Sequence, residues 1–406
     1  MTFASRTSGR RVANVKSAPL AVENVTRGVY FFRGHMTDYS HAVTEFARDL
    51  VKIDSRSFVS NLPISERIEG ELVGFDLERL DYTDHRGAKK RALVAHRGPI
   101  GGVALSGHMD TVPDTGWSND PWSGRIEHGV LHGLGSADMK GPVAALIVAA
   151  RALPSNVPVT LLITTDEETT KAGASEIVQS SQLVRAVRPR GVVVAEPTTM
   201  IPMRGHRAHV HFTAVATGVQ AHSSSGRGHN ANWDLVPFLV EMRAIYERLR
   251  SDASLQDAAY DPRFSDFNLV IDNHGAAVNV TVPKATATIK FRYSAKISPE
   301  PIIDMVRAAA SSAGLGLDIA REGEPPELPA DHPFVAICSG IVGAPPQLAA
   351  YGTDASQLQA LAPCVVLGPG DIAAAHRPDE SVAIADLAAA VPVFMQIAQA
   401  VGEADF

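Results

Sequence analysis

SGHMDTVPDTGWSNDPWSGRIEHGVLHGLGSADMKG, residues 106–141, contains the first group of side chains suited to a divalent-metal site. His108 and Asp110 lie two positions apart, directly after an apolar run at residues 103–105 that predicts a buried strand. A second carboxylate, Asp138, lies in a glycine-rich turn before a helix predicted over residues 142–153. Imidazole nitrogens and carboxylate oxygens are ligands that divalent metals take in proteins. This stretch therefore predicts an α/β segment with a metal site at the end of a strand.

An acidic triplet, Asp166, Glu167 and Glu168, follows the β-branched run at residues 158–165, which predicts a central strand. Three carboxylates would repel one another in a closed cleft, and a solvated loop is the alternative for this triplet alone. A cation that holds one carboxylate while its neighbour stays free as a base would remove the repulsion. Because adjacent residues of an extended chain point to opposite sides, we expect Glu167 and Glu168 to have different roles.

Two more polar clusters follow predicted strands. Glu196 ends the strand predicted over residues 192–195, and His376 follows the strand predicted over residues 364–367 and a Gly-Pro-Gly turn. In open α/β sheets, ligands bind outside the carboxyl ends of the strands. We therefore expect all four clusters to meet in one site.

The motifs resemble, in order, those of the co-catalytic-metal deacylase and exopeptidase family. That family includes acetylornithine deacetylase, succinyl-diaminopimelate desuccinylase, aminoacylase and carboxypeptidase G. The motifs are SGHMDTVP, GLGSADMKG, TTDEETTKAGA, AEPT and GPGDIAAAHRPDE, and the resemblance extends from about Tyr39 to the C-terminus. YGTDA at residues 351–355 favours the acetylornithine deacetylase branch. The resemblance implies a dinuclear metal-dependent amidohydrolase that cleaves the amide of a small N-acyl amino acid.

The resemblance also implies a ligand set. His108 and Glu196 would hold one ion, and Glu168 and His376 would hold the other. Asp138 would bridge both ions. We expect zinc, with cobalt and manganese as alternatives. Two ions roughly 3.5–4 Å apart would activate water and polarise the scissile carbonyl.

Catalytic and substrate-binding roles follow from the same resemblance. Glu167 would act as general base and acid on the metal-activated water. Asp110 would hydrogen-bond to the far nitrogen of His108 and fix its tautomer. His222 would reach across a homodimer and donate to the developing oxyanion, although a histidine beside serines is otherwise typical of a turn.

Asn279 and Arg292 resemble the substrate-binding asparagine and arginine of the family. Arg292 could form a bidentate contact with a substrate carboxylate, and an exposed strand arginine is the alternative. The sequence departs from the family pattern in the loop at residues 225–231, which is shorter and lacks a proline, and at Lys290, where an acid is common. Both departures lie near the residues expected to bind the substrate.

These departures keep other functions open. A dipeptidase, a carboxypeptidase or an aminohydrolase acting on an aromatic amine could use the same site. A non-catalytic binding protein is less consistent with the sequence, because it has no use for the free base Glu167. A serine hydrolase is disfavoured because we find no Gly-x-Ser-x-Gly elbow.

The composition indicates a globular enzyme. The chain has 406 residues, of which 45% are hydrophobic and 20% charged, which predicts two or three domains. A net charge of −7 gives no basic surface for nucleic acid. No apolar stretch approaches the roughly 20 residues that cross a bilayer, so we expect no membrane partner. Cys338 and Cys364 lie in apolar segments as reduced core residues, which favours the cytoplasm.

The expected fold class is α/β: a mostly parallel central sheet flanked by helices, zinc-exopeptidase-like, with an inserted α+β dimerisation domain that has a four-stranded sheet. A strand predicted over residues 315–319 is assigned to the metal domain. The expected boundaries are 1–37 for an N-terminal extension (a disordered segment or an interface arm), 38–202 and 313–406 for the metal domain, and 203–312 for the insertion.

Overall fold

The computed structural model describes residues 39–404, and the expected N-terminal extension at residues 1–37 lies outside them. The strands within the described range are β1 (Asp76–Thr83), β2 (Lys89–Arg97), β3 (Val103–His108), β4 (Arg125–Glu127), β5 (Val130–His132), β6 (Val159–Thr164), β7 (Gly191–Val194), β8 (Met203–His206), β9 (Ala208–Thr217), β10 (Asp266–Asp272), β11 (Lys284–Tyr293), β12 (Gly316–Arg321), β13 (Gln347–Ala349), β14 (Cys364–Val366) and β15 (Ser381–Ala383). The helices are α1 (Ser40–Val51), α2 (Leu62–Glu69), α3 (Lys140–Ala152), α4 (Ala172–Ser180), α5 (Gln182–Val187), α6 (Ala231–Ser251), α7 (Glu300–Ser312), α8 (Pro333–Val342), α9 (Ala355–Leu358) and α10 (Ile384–Glu403).

The larger sheet has eight strands in the order β1-β2-β6-β3-β7-β14-β8-β13. Its centre is parallel, because β3 pairs in parallel with β6 and β7, and β14 with β7. Every residue of β3, β6 and β7 is buried, as expected for strands covered on both faces. Antiparallel pairs occur at β1–β2, β2–β6 and β14–β8. The prediction of a mostly parallel central sheet is confirmed.

Two apolar cores cover the two faces of this sheet. Helices α1, α3, α8 and α10 contribute to the larger core, and α4, α5 and α9 to the smaller one. The strands are therefore buried between helical layers, and their carboxyl ends remain open for a site.

Helix α10 is long and apolar enough to cross a membrane by length and composition, contrary to the expectation that no stretch comes close. Its buried residues lie in the larger core, and the helix contacts α1, α3 and α8. These contacts are those of a core helix, and core helices of soluble proteins pass the same length test.

The smaller sheet is antiparallel, with the order β10-β11-β9-β12. Helices α6 and α7 pack on one face and form a separate apolar core with it. Residues of β11 alternate between buried and partly exposed, since one face meets this core and the other does not.

The assignment of the strand over residues 315–319 to the metal domain is wrong. Its observed counterpart, β12, pairs with β9 in the smaller sheet. Strand β8, at residues 203–206, pairs instead with β13 and β14 in the larger sheet. The smaller sheet therefore occupies residues 208–321, so both expected limits of the insertion move. Alternation of apolar and polar residues predicts a strand, but it does not identify the strand with which that strand pairs.

Candidate metal centre and active-site cavity

Asp138 lies in the turn that precedes α3, and a second acid holds that turn in place. The buried carboxylate of Glu380 accepts hydrogen bonds from the backbone N–H groups of Gly135 (2.9 Å), Ala137 (2.8 Å) and Asp138 (2.9 Å). The peptide bond between Asp138 and Met139 is cis. Glu380 therefore fixes the backbone from which the Asp138 side chain extends.

Two groups of potential ligands share Asp138. In the first, His108 Nε2 lies 3.0 Å from Asp138 Oδ1 and 3.9 Å from Glu196 Oε1. In the second, His376 Nε2 lies 3.3 Å from Asp138 Oδ2 and 3.0 Å from Glu168 Oε1. Within each group, one donor atom from each residue lies within 4.8 Å of the others. The structure thus brings together all five residues that the resemblance implies as ligands.

The donor set fits two divalent cations. Burial, and next the charge of Asp138, raise the pKa of Glu168 to about 8. The same two causes raise the pKa of Glu196 well above its usual range. These carboxylates crowd one another where water is excluded, so cations between them would offset the repulsion. Histidine nitrogen with carboxylate oxygen is a ligand combination that suits zinc, cobalt and manganese.

The prediction for Asp110 requires correction. His108 Nδ1 donates to the backbone carbonyl of Asp110 at 2.9 Å, and the carboxylate oxygen lies farther away at 3.5 Å. Because a carbonyl can only accept, Nδ1 carries a proton, and Nε2, which faces Asp138, is the ring nitrogen available to a cation. The contact from Asp110 that orients the ring is made mainly through the backbone.

The carboxylate of Asp110 instead holds the loop after β6. It accepts from the Ser57 hydroxyl (2.8 Å) and from the backbone N–H groups of Glu167 (3.2 Å) and Glu168 (3.3 Å). Asp110 is completely buried. It therefore links the loop that carries His108 to the loop that carries the acidic triplet.

Residues 167–170 form a turn, not the extended chain that the sequence analysis assumed. Asp166 precedes the turn with φ 61° and is held by Lys90 Nζ (2.8 Å) and the Tyr82 hydroxyl (2.7 Å). Asp166 is thus used in packing. The turn separates the side chains of the other two acids. Glu168 faces His376, whereas Glu167 faces a side-chain cation.

That cation is Lys171. Its ammonium lies 3.4 Å from Glu167 Oε1, and both side chains are at least nine-tenths buried. Glu167 Oε1 has no hydrogen-bond partner among the described residues. The carboxylate is therefore positioned by an ion pair but keeps acceptor capacity for a further proton donor. Sequence analysis missed Lys171, although it belongs to the motif TTDEETTKAGA.

A cavity opens beside this cluster, and both sheets contribute to it. Its wall contains Asp138, Glu167, Glu168, Thr169, Lys171, Glu196, His209, Lys290, Arg292, Glu322, Tyr351, Gly352, Ile372 and His376. Of the three residues expected on the substrate side, only Arg292 lines the cavity. His222 and Asn279 are exposed and lie outside its wall, and His222 Nδ1 contacts the Ser224 hydroxyl at 2.8 Å.

A third group of potential ligands lies on the far wall. Glu322 lies 2.6 Å from His209 Nε2 and 3.6 Å from His211 Nδ1. Lys290 and Arg292 are the register partners of these two histidines on β11, so their charges would repel a bound cation. The spacing of His209 and His211, two residues apart on a predicted strand, was the only sequence signal for this group. Glu322 is too distant in sequence for any local pattern to connect it with them.

The chain matches one family model and many known proteins. The model described as peptidase family M20/M25/M40 matches residues 104–400. The acetylornithine deacetylase of Proteus mirabilis (strain HI4320) is 32% identical over 328 residues, which cover 78% of this chain and 83% of that protein.

Solved structures share the fold. Human carnosine dipeptidase 1 matches with a TM-score of 0.69 at 17% identity, covering 89% of this chain and 97% of that one. A Bacillus subtilis protein described as a dinuclear metal binding peptidase matches with a TM-score of 0.59 at 16% identity, covering 90% and 99%.

Proposed function

The chain belongs to peptidase family M20/M25/M40 and is a metal-dependent hydrolase, and we propose that it cleaves the amide bond of a small N-acyl amino acid. The observation that carries this proposal is the position of Asp138, shared by two ligand groups, with the carboxylate of Glu167 beside them in the same cavity. The deacetylase relative supports the choice of an N-acyl amino acid.

In the proposed site, His108 and Glu196 would hold one ion, Glu168 and His376 would hold the other, and Asp138 would be shared by both. The bound ions supply Lewis-acid activation of the amide carbonyl and of water. We propose zinc, with cobalt and manganese as alternatives. The combination of imidazole nitrogen and carboxylate oxygen ligands supports this choice of metals.

Glu167 is the proposed general base and acid. It takes a proton from the attacking water and delivers it to the departing amine. Lys171 holds this carboxylate in position through an ion pair. The Asp110 carboxylate accepts a hydrogen bond from the backbone N–H of Glu167 and so anchors its backbone. Arg292 is the proposed contact for the substrate carboxylate.

We also propose a homodimer, in keeping with the expected role of His222. The outer face of α6 exposes Trp233, Val236 and Val240, which are 71%, 43% and 62% accessible. Edge strand β10 exposes a further apolar run at residues 269–271. A symmetric dimer could cover both features by continuing the sheet. His222 would then enter the partner subunit's cavity as an oxyanion donor, which its exposure permits.

A hydrolysis screen tests the proposal. Full-length protein loaded with zinc, cobalt or manganese would be offered N-acetyl amino acids, dipeptides and N-acylated aromatic amines. We expect N-acetyl amino acids to be hydrolysed, with loss of activity on chelation and recovery on adding metal. Hydrolysis confined to dipeptides or aromatic amides would establish the alternative functions. Two bound metals without any hydrolysis would establish a binding protein. We also propose a cytoplasmic location, which the composition favours.

A further inference from the structure

The part of the cavity wall that the smaller sheet contributes carries an excess of positive charge. We propose that this wall selects substrates with an anionic side chain, namely N-acyl derivatives of acidic amino acids such as N-acetylglutamate, and disfavours cationic ones such as N-acetylornithine. The inference rests on the proposed function and names the substrate class of the same site.

The cations reach the cavity because of the pleat of β11. Lys290 and Arg292 are two residues apart and lie on one face of the strand. The alternate residues of the strand, Ile289 and Phe291, are fully buried in the core beneath the smaller sheet. Both cations line the cavity. Strand β11 therefore directs both positive charges toward a ligand bound in the cavity.

The charge balance of this wall is positive. Its cations are Lys290 and Arg292, and its acid is Glu322, whereas Lys171 is paired with Glu167 beside the metal ligands. Burial lowers the pKa of His209 to about 4, so this histidine adds no charge at neutral pH. Glu322 lies 2.6 Å from His209 Nε2 and is thus already engaged.

Among the described residues, Lys290 differs from Arg292 and Lys171 in making no ion pair with a carboxylate. Arg292 Nη1 lies 2.5 Å from Asp266, and Lys171 lies 3.4 Å from Glu167. No carboxylate in the described range, residues 39–404, lies within 4.0 Å of the Lys290 ammonium. Burial, and next the charge of Arg292, lower the pKa of Lys290, and the charges of Glu322 and Glu167 oppose this shift only in part. An anionic ligand group would provide the missing partner.

A substrate of the proposed class would use both cations. Its α-carboxylate would pair with Arg292 and its side-chain carboxylate with Lys290. A cationic side chain would instead meet Lys290 at close range, with only the engaged Glu322 to stabilise it. A hydrogen bond to a charged group changes binding by about 10- to 100-fold, so the discrimination should be measurable.

N-Acetyl-L-glutamate and N-acetyl-L-glutamine provide a matched pair, because they have nearly the same size and differ in side-chain charge. With the metal-loaded full chain, kcat/KM should be about 10- to 100-fold higher for the glutamate compound. N-Acetyl-L-ornithine should be the poorest of the three.

Charge reversal at one residue tests the cause. Lys290→Glu should lower kcat/KM for N-acetylglutamate and raise it for N-acetylornithine, and Lys290→Gln should bring the glutamate-to-glutamine ratio close to one. Retained turnover of N-acetylglutamine would show that each variant is folded. Lys284→Glu is the matched control, because Lys284 is exposed at the other end of β11 and outside the cavity wall.

The outcomes distinguish the inferred preference for anionic side chains from the proposed hydrolysis of N-acyl amino acids. Hydrolysis of N-acetylornithine as fast as N-acetylglutamate, or a glutamate preference that survives Lys290→Gln, would overturn the inference and leave the proposed function intact. Failure to hydrolyse any N-acetyl amino acid would overturn both.

Discussion

His376 Nε2 lies 3.0 Å from Glu168 Oε1, although 208 residues of sequence separate the two. The sheet order explains the approach. Glu168 follows β6 and His376 follows β14, and only β3 and β7 lie between these strands. All four strands run in parallel, so their carboxyl ends meet at one edge. The second ligand group is therefore a product of the tertiary fold.

The first prediction concerns metal stoichiometry. His108→Ala and His376→Ala should each lose about one ion per chain, because each histidine belongs to one ligand group. Asp138→Ala should lose both, since Asp138 belongs to both groups. Metal analysis of desalted protein measures the count, with exposed His85→Ala as the control. An Asp138→Ala variant that keeps two ions would refute the bridging role.

The second prediction concerns Glu380, the last residue of the motif GPGDIAAAHRPDE, which was given no role from the sequence. Glu380→Gln keeps the size but turns a carboxylate that faces three N–H donors into an amide with a single acceptor atom. Loss of such a supporting contact costs about 10- to 100-fold in metal affinity or activity. Titration of metal-free protein measures it. The exposed neighbour Asp379→Asn should bind metal like wild type, and equal affinity in both variants would contradict the support role.

The third prediction concerns assembly. His222→Ala should lower turnover more than metal content, because an oxyanion donor acts mainly in the transition state. Mixing this variant with Glu167→Gln subunits should restore part of the activity, since one hybrid site would be complete. Full activity in a protein that remains monomeric by light scattering is incompatible with a shared site.

The fourth prediction concerns acid stability. Burial lowers the pKa of His206 from 6.5 to about 3, and its ring binds the Arg207 carbonyl (2.8 Å) and the Thr353 hydroxyl (3.0 Å). Between pH 6.5 and 3 the unfolded chain binds the extra proton, so stability falls as the pH falls. From pH 7 to 5 this one group should cost about 2 kcal/mol.

Urea unfolding at pH 7 and pH 5 measures this contribution. His206→Asn should lose about 2 kcal/mol less stability between the two pH values than wild type, whatever its stability at pH 7. Exposed His85→Asn should follow wild type. Equal pH dependence in both variants would show that His206 does not couple stability to pH.

The sequence predicted that the proposed metal ligands would lie close together, because these residues lie at or directly after the ends of strands with strong local signals. His108, Glu168 and Glu196 each follow an apolar run, and the sheet then brings them together. The position of His376 after a predicted strand placed it in the same group, and the family resemblance implied which of these residues share an ion. The parallel centre of the large sheet could be predicted for the same reason, since buried strands are apolar along their whole length.

The substrate side was less predictable, because its residues meet only through pairing across the smaller sheet. His209, Lys290 and Glu322 come from three strands or their ends, and no local pattern joins them. The assignment of β12 failed for this reason too, since its alternation fits any half-exposed strand. His222 and Asn279 lie outside the cavity of a single chain, so a dimer is needed to test their roles.

The most direct test of the central claim is the turnover of Glu167→Gln. The substitution keeps size and removes the base, and none of the five proposed ligands is changed. General acid–base catalysis contributes roughly 10²- to 10⁴-fold, so turnover of N-acetyl amino acids should fall by about that factor while metal analysis still finds two ions per chain. A variant with two ions and most of the wild-type turnover would contradict the account, because another residue would then have to move the proton.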